Sequence, residues 1–402
     1  MRCTIYNHSS LEHRASRLDA EGSKNVIAQK KVMVVFGTRP EAIKMAPVIQ
    51  ALRQKASILC QVTVTAQHRE MLDQVLNLFE IIPDFDLNLM KHGQTLTDIT
   101  IRALDELREV FQRELPDLVL VHGDTTTTFV ASLAAFYCQI PVGHVEAGLR
   151  TGNKYSPFPE EINRKLTSVL TDLHFAPTET AKRNLLLEGV EPEKIFVTGN
   201  TVIDALLATV KPKYSFLDPH IQTILKQGSA ARMILVTTHR RENLGEPMRQ
   251  IYQALHKTLE IFPDTYVIFP VHKNPEVRKV VTEVLGTHPR INLVEPMDYE
   301  PFVNLMARSH LILTDSGGIQ EEAPSLGKPV LVVRDTTERP EAIGAGTVSL
   351  VGTEYDSVLM ELKRLLSDQE AYQKMEMASN PYGDGYASDQ IAEIILENIV
   401  RR

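Results

Sequence analysis

From Lys31 onward, short apolar runs alternate with longer amphipathic stretches. Val32–Phe36, Ile58–Val64, Leu118–Val121, Val142–Val145, Leu173–Phe175 and Ile195–Val197 are rich in Val, Ile and Leu and bounded by turn residues. Continuous apolar runs of this length read as parallel strands buried on both faces. Helical patterns lie between them, at Ala46–Lys55, Leu96–Glu114, Thr126–Tyr137 and Thr178–Glu188. After Asn200 the alternation restarts. Met233–Thr237, Tyr266–Phe269, Ile291–Val294, Leu311–Leu313, Val330–Val333 and Val348–Leu350 read as strands, with helices such as Met248–Ile261 and Pro301–Ala307 among them. The predicted class is therefore α/β, with two Rossmann-like domains facing a central cleft. Residues 31–200 form the first domain and 201–387 the second, with a linker around Lys211–Gln227. After the turn-rich Asn380–Gly385, Ser388 is placed to cap a last helix, 388–402, whose Ile391, Ile394, Ile395 and Ile399 share one face. That stripe must pack on something, and the expectation is that it crosses back to the first domain. Residues 1–30 are polar and mixed in charge, and read as a mobile extension.

Composition narrows the function. The 402 residues carry a net charge of −8, against a broad nucleic-acid surface. No apolar run reaches membrane-spanning length. Cys3, Cys60 and Cys138 are odd in number and far apart, with no disulfide framework or metal-binding spacing, which fits a reducing cytoplasm.

Ligands of open α/β sheets bind beyond the carboxyl ends of the strands, so the residues there are the candidates. Gly37-Thr38-Arg39-Pro40-Glu41 follows the first strand. It is not a dinucleotide fingerprint, but Pro40 fits the first helical position and puts Arg39 and Lys44 at a helix start. Two cations there oppose the helix dipole and suit a bound anion, solvated surface charge being the plainer reading. His122-Gly123-Asp124 ends another strand, where Asp124 serves either chemistry or a helix N-cap. Glu146 follows Val142–Val145 directly. Glu160 begins a helix with Arg164 one turn on, either a surface pair or a site pair. His239 and His272 follow two strands of the second half, and Arg339 adds a cation. Ser316-Gly317-Gly318 opens a short helix, with Glu322 one turn in. Close backbone approach at such a start favours a phosphate, and the carboxylate suits vicinal hydroxyls.

FGTRPEAIKMAP (36–47), VHGDTTTT (121–128), GHVEAGLRT (143–151), SPFPEEINR (156–164), GNTVIDAL (199–206), THRRE (238–242), TDSGGIQEEAPSLGKPVLVVRDTTERPEA (314–342) and NPYGDG (380–385) occur in this order. Together they resemble the bacterial non-hydrolysing UDP-N-acetylglucosamine 2-epimerases, from about Lys31 to the end of the chain. The resemblance implies a GT-B-like fold, a cytoplasmic homodimer, and interconversion of UDP-GlcNAc and UDP-ManNAc with neither nicotinamide nor metal, supplying precursors for cell-surface polysaccharide. It implies catalytic roles for Asp124, Glu146, Glu160 and His239, with Arg164 orienting Glu160. UDP contacts fall to Arg39, Lys44, Ser316, Gly317, Gly318, Glu322 and Arg339, with Phe302 near the uracil. Gln67, Gln94 and His272 match positions of an allosteric UDP-GlcNAc site in some members. Gly93, Glu70 and Met297 depart from residues that relatives carry at the allosteric and uracil contacts.

Overall fold

The computed structural model describes residues 29–66, 69–89, 93–226, 231–286 and 288–400. The expectation for the N-terminal extension falls outside these residues except at its end, where Lys30 already belongs to the first strand. Gln67 also lies outside them.

Among the described residues, the first sheet holds β1 (Lys30–Phe36), β2 (Ile58–Val64), β3 (Phe85–Asp86), β4 (Leu118–His122), β5 (Val142–Val145), β6 (Leu173–Ala176) and β7 (Ile195–Val197). Their order is β3-β2-β1-β4-β5-β6-β7, all parallel. The second sheet holds β8 (Arg232–Thr237), β9 (Thr265–Pro270), β10 (Ile291–Val294), β11 (Leu311–Thr314), β12 (Val330–Val332) and β13 (Val348–Leu350). Its order is β10-β9-β8-β11-β12-β13, again parallel. Both sheets change direction of winding beside their first strand, between β1 and β4 and between β8 and β11. Crevices open at such points, and the strands flanking them carry the candidate residues.

Burial explains the patterning. Val32, Met33, Val34, Val35 and Phe36 are fully buried, as a strand covered on both faces requires. One apolar cluster continues from Val34 and Ile49 of the first lobe through Ile203 and Leu206 to Leu235 and Ile312 of the second. Ile391 and Ile395 of the last helix belong to it, and Lys55 pairs with Glu393 at 2.5 Å, so this helix packs back on the first lobe.

Two local expectations are corrected, and one strand is added. The last helix begins at Ala387, so Ser388 sits inside its first turn rather than capping it, and its N–H donates to Asp204 Oδ1 at 2.7 Å. The stretch read as linker contains a helix, Pro219–Leu225, capped by Asp218. The two-residue strand Phe85–Asp86 was not foreseen, being too short for any period to show.

The chain passes between the lobes near Gly199 and again near Tyr382. Asn200 N–H donates to Tyr382 O at 2.7 Å. A Cβ at Gly199, whose φ is +87°, would stand 3.2 Å from that oxygen and 3.3 Å from Gly383 Cα. Among the described residues, no helix is long and apolar enough to cross a membrane.

Candidate active site

Glu41 organises the loop after β1. Its buried carboxylate accepts from the backbone N–H of Gly37 at 3.0 Å and Thr38 at 2.8 Å. Thr125 and Thr128, at the start of the helix after β4, donate to its other oxygen at 2.7 and 3.1 Å. The two crevice loops of the first sheet are thereby tied together. The helix begins at Arg39, with Pro40 second rather than first.

The N-cap after β4 is Thr125, which accepts from Thr128 N–H. Asp124, one residue earlier, is thus spared for other work. Its Oδ2 accepts from Arg164 at 2.6 Å. Arg164 also reaches Glu161 at 3.3 Å, and Glu161 pins the backbone of Thr151 and Gly152 at 3.0 Å each. The expected orientation of Glu160 by Arg164 is therefore corrected: Arg164 swings to Asp124 and Glu161. Glu160 Oε2 is buried and has no hydrogen-bond partner among the described residues.

Glu146 closes β5 in a left-handed conformation, φ +62°. Its carboxylate is nearly buried and is hydrogen-bonded to Lys44 Nζ, with Asn200 Nδ2 at 2.9 Å and His122 Nε2 at 3.5 Å. Burial favours protonation of Glu146, but the Lys44 ammonium beside it prevails and holds the carboxyl far below its usual range. Burial pushes His122 down to about 4, so the imidazole is neutral beside an ionised Glu146.

In the second lobe, Asp315 at the end of β11 is fully buried and accepts from the backbone N–H of His239 and Arg240, both at 2.9 Å. Its other oxygen lies 3.4 Å from His239 Nδ1. Desolvation lowers the His239 pKa, with Asp315 opposing. The His239 ring stacks on His272, centroids 5.4 Å apart. His272 Nδ1 accepts from Asn274 N–H at 3.1 Å, which leaves its proton on Nε2 when neutral. Gln94 is held by the side chain of Arg102.

A cavity of about 430 Å³ opens between the lobes. Arg39, Lys44, Phe302, Ser316, Gly318, Glu322 and Arg339 all line it, with Tyr299 and Glu321. An adjoining cavity of about 530 Å³ takes Gly317, Arg164 and the other side of Arg339. A Cβ at Gly317 would lie 3.8 Å from the Arg339 guanidinium and 3.9 Å from that of Arg240, so two cations face this backbone. Ser316 caps the short helix without a side-chain bond, which leaves the first-turn N–H groups to a ligand. Burial and the neighbouring Glu321 carboxylate push Glu322 up to about 8. Asp124, Glu146, Glu160 and His239 stand outside both linings; Lys44 connects Glu146 to the first cavity and Arg164 connects Asp124 to the second. A larger crevice, about 570 Å³, lies by Gly199 and Asn380 and holds none of the candidates.

Several residues at the site escaped the sequence reading, Glu41, Glu161 and Tyr299 among them. Asp315 and Glu321 sit beside assigned residues in one motif, and Arg240 beside His239. Asn200 carried only the signal of an N-cap, which it also is.

Two Rossmann-like domains, arranged as in GT-B proteins with the candidate residues at the facing carboxyl ends, define the class. The family model described as UDP-N-acetylglucosamine 2-epimerase matches residues 50–396. The UDP-N-acetylglucosamine 2-epimerase of Bacillus subtilis is 59% identical over 366 residues, spanning 91% of this chain and 95% of its own. The Escherichia coli K12 protein of the same name is 55% identical over 381 residues, 92% of this chain and 99% of its own. A crystal structure of UDP-GlcNAc 2-epimerase from Neisseria meningitidis bound to UDP-GlcNAc superposes with a TM-score of 0.80 at 54% identity, covering 92% of this chain and 100% of that one. The chain belongs to the UDP-N-acetylglucosamine 2-epimerase family.

Proposed function

We propose that the protein interconverts UDP-GlcNAc and UDP-ManNAc without net hydrolysis, by eliminating UDP and adding it back. The observation that carries this reading is the interlobe cavity, where Arg39, Lys44 and Arg339 meet Ser316, Gly318 and Glu322. Three cations and helix N–H groups suit a diphosphate, Glu322 suits the ribose hydroxyls, and Phe302 offers an apolar face to the uracil. The boundary between the domains falls near residue 200, and the last helix belongs with the first domain.

The C2 hydrogen of an N-acetylhexosamine has no adjacent carbonyl and is poorly acidic. Elimination solves this: a base takes the C2 proton as the C1–O bond breaks, the electron pair leaving with UDP and a C1=C2 glycal remaining. Protonation of C2 on the opposite face, with attack of the UDP oxygen at C1, completes the inversion. Asp124, Glu146, Glu160 and His239 divide the proton transfers, and the cations stabilise charge developing on UDP. Glu146 is held ionised beside Lys44, and Asp124 is steadied by Arg164. Gln94 and His272, with Gln67 outside the described residues, are the candidates for a second UDP-GlcNAc site, and the product feeds cell-surface polysaccharide synthesis in the cytoplasm. The exposed apolar stripe Ile162, Leu166 and Val169 on helix Glu160–Leu170 is where a second copy docks to make a homodimer.

The test is incubation with UDP-GlcNAc in D₂O followed by NMR of the nucleotide sugars. UDP-ManNAc deuterated at C2 supports the reading. Product that keeps its original hydrogen ends the elimination mechanism, and accumulating free ManNAc makes the enzyme a hydrolysing one.

A further inference from the structure

Asn200 stands where the chain leaves the first lobe. As N-cap of helix Thr201–Thr209 its Oδ1 accepts from Val202 N–H at 3.1 Å. That bond fixes the amide and turns its NH₂ the other way. One N–H donates to Glu146 Oε1 at 2.9 Å, and the other to Glu321 Oε2, also at 2.9 Å. Glu146 ends a strand of the first lobe, whereas Glu321 lies in helix Gly317–Glu322 of the second. Each carboxylate in turn holds a cation that lines the interlobe cavity, Lys44 on Glu146 and Arg339 on Glu321. Asn200 and Glu321 are almost fully buried.

We propose that Asn200 is a positioning residue that sets Glu146 and Glu321, and through them Lys44 and Arg339, in register across the two lobes. The inference rests on the reading of the cavity as the diphosphate site and goes beyond it. The row runs cation, carboxylate, amide, carboxylate, cation. Without a donor between them the facing oxygens of the two carboxylates would be left unpaired, at a cost that a low-dielectric site magnifies. A lysine there would compete with Lys44 and Arg339 for the same oxygens. A neutral amide supplies two donors and adds no charge, and its cap bond anchors both to the crossing between the lobes. One of the acid–base candidates and a cation lining the diphosphate cavity are thus held by one side chain.

The test separates the bridge from the cap. Asn200→Ser keeps an oxygen for Val202 and deletes the amide donors. Its kcat should fall at least about 10-fold, and because a serine cap is as good as asparagine, any drop in the unfolding midpoint reports the deleted bridge rather than the cap. Asn200→Asp also keeps the cap but puts a third carboxylate into the row. Its kcat should fall by about 10²-fold or more at pH 8 and recover severalfold, relative to the parent, at pH 6, where a protonated carboxyl donates again. A kcat for Asn200→Ser within about 2-fold of the parent, or no acid recovery in Asn200→Asp, overturns the assignment. Hydrogen exchange reads the bridge without turnover: amides of 317–322 should exchange at least about 5-fold faster in Asn200→Ser, and unchanged rates count against it. A parent that exchanges as described yet binds no UDP defeats the functional reading and leaves the bridge standing.

Discussion

Arg164 donates to Asp124 Oδ2 at 2.6 Å, joining a helix of the first lobe to the loop at the carboxyl end of β4. Both side chains are mostly shielded from water, and Arg164 lines the cavity beside Gly317. The pair therefore fixes where Asp124 presents its free oxygen. Arg164→Lys cannot reproduce the planar fork and should lower kcat about 10-fold while KM moves little. Steady-state kinetics decide it. A variant with unchanged kcat would show that Asp124 needs no such support.

The four acid–base candidates give the largest expected losses. Asp124→Asn, Glu146→Gln, Glu160→Gln and His239→Ala should each cut turnover by at least about 10²-fold, the lower range for general acid–base groups. Near-normal turnover removes the residue concerned from the mechanism. Asp315→Asn should act through His239, whose Nδ1 it faces at 3.4 Å, and its deficit should vanish in a His239→Ala background.

Arg339 lines both cavities. Arg339→Ala removes a cation from the diphosphate and should weaken UDP binding by about 10- to 100-fold, the range of a charge-assisted hydrogen bond. Titration calorimetry reads this directly. Unchanged affinity would move the diphosphate elsewhere.

Glu322 makes UDP affinity sensitive to pH. With its carboxyl pushed up to about 8, it is mostly neutral at pH 7 and ionises above pH 8. The ionised carboxylate accepts from the two ribose hydroxyls more strongly than the neutral acid does, so the Kd for UDP should fall severalfold between pH 7 and 9. Glu322→Gln carries no such charge, and its Kd should stay flat over that range. A parent as flat as the variant would sink this account.

Stability should fall on the acid side for a reason unrelated to catalysis. Burial holds His122 at about 4, and His144 and His174 at about 3, all three in the first sheet. Their unfolded forms take a proton near pH 6.5, so below that pH the unfolded state binds more protons and stability declines toward pH 4. Each contributes a slope of roughly 1.4 kcal/mol per pH unit in this window. Urea unfolding at pH 7.5, 6 and 5 should show the slope, and His144→Asn should reduce it by about one proton. An identical slope in the variant would show that His144 is charged in the folded protein.

The frame of the molecule was written in the chain, because strands such as Val32–Phe36 are buried on both faces and therefore show as unbroken apolar runs. The residues at the ends of those runs marked the crevices, and seven of the expected ligand contacts meet at one cavity. What escaped was partnership. Glu160 and Arg164 have the spacing of a helix pair, yet Arg164 turns to Asp124, forty positions away. Glu321 and Glu322 are adjacent, chemically alike and both line the cavity; only the packing shows that Glu321 is the one that holds Arg339. Asn200 looked like any helix cap, since a side chain that also bridges two carboxylates has no signature along the chain.

Gly199 and Gly383 let the two passes of backbone between the lobes lie against each other, with no side chain in the way. A single methyl group at residue 199 would meet Tyr382 O and Gly383 Cα and would also strain a φ of +87°. One missing carbon atom at residue 199 is thus what allows the outgoing and returning strands of chain to touch where they cross between the lobes.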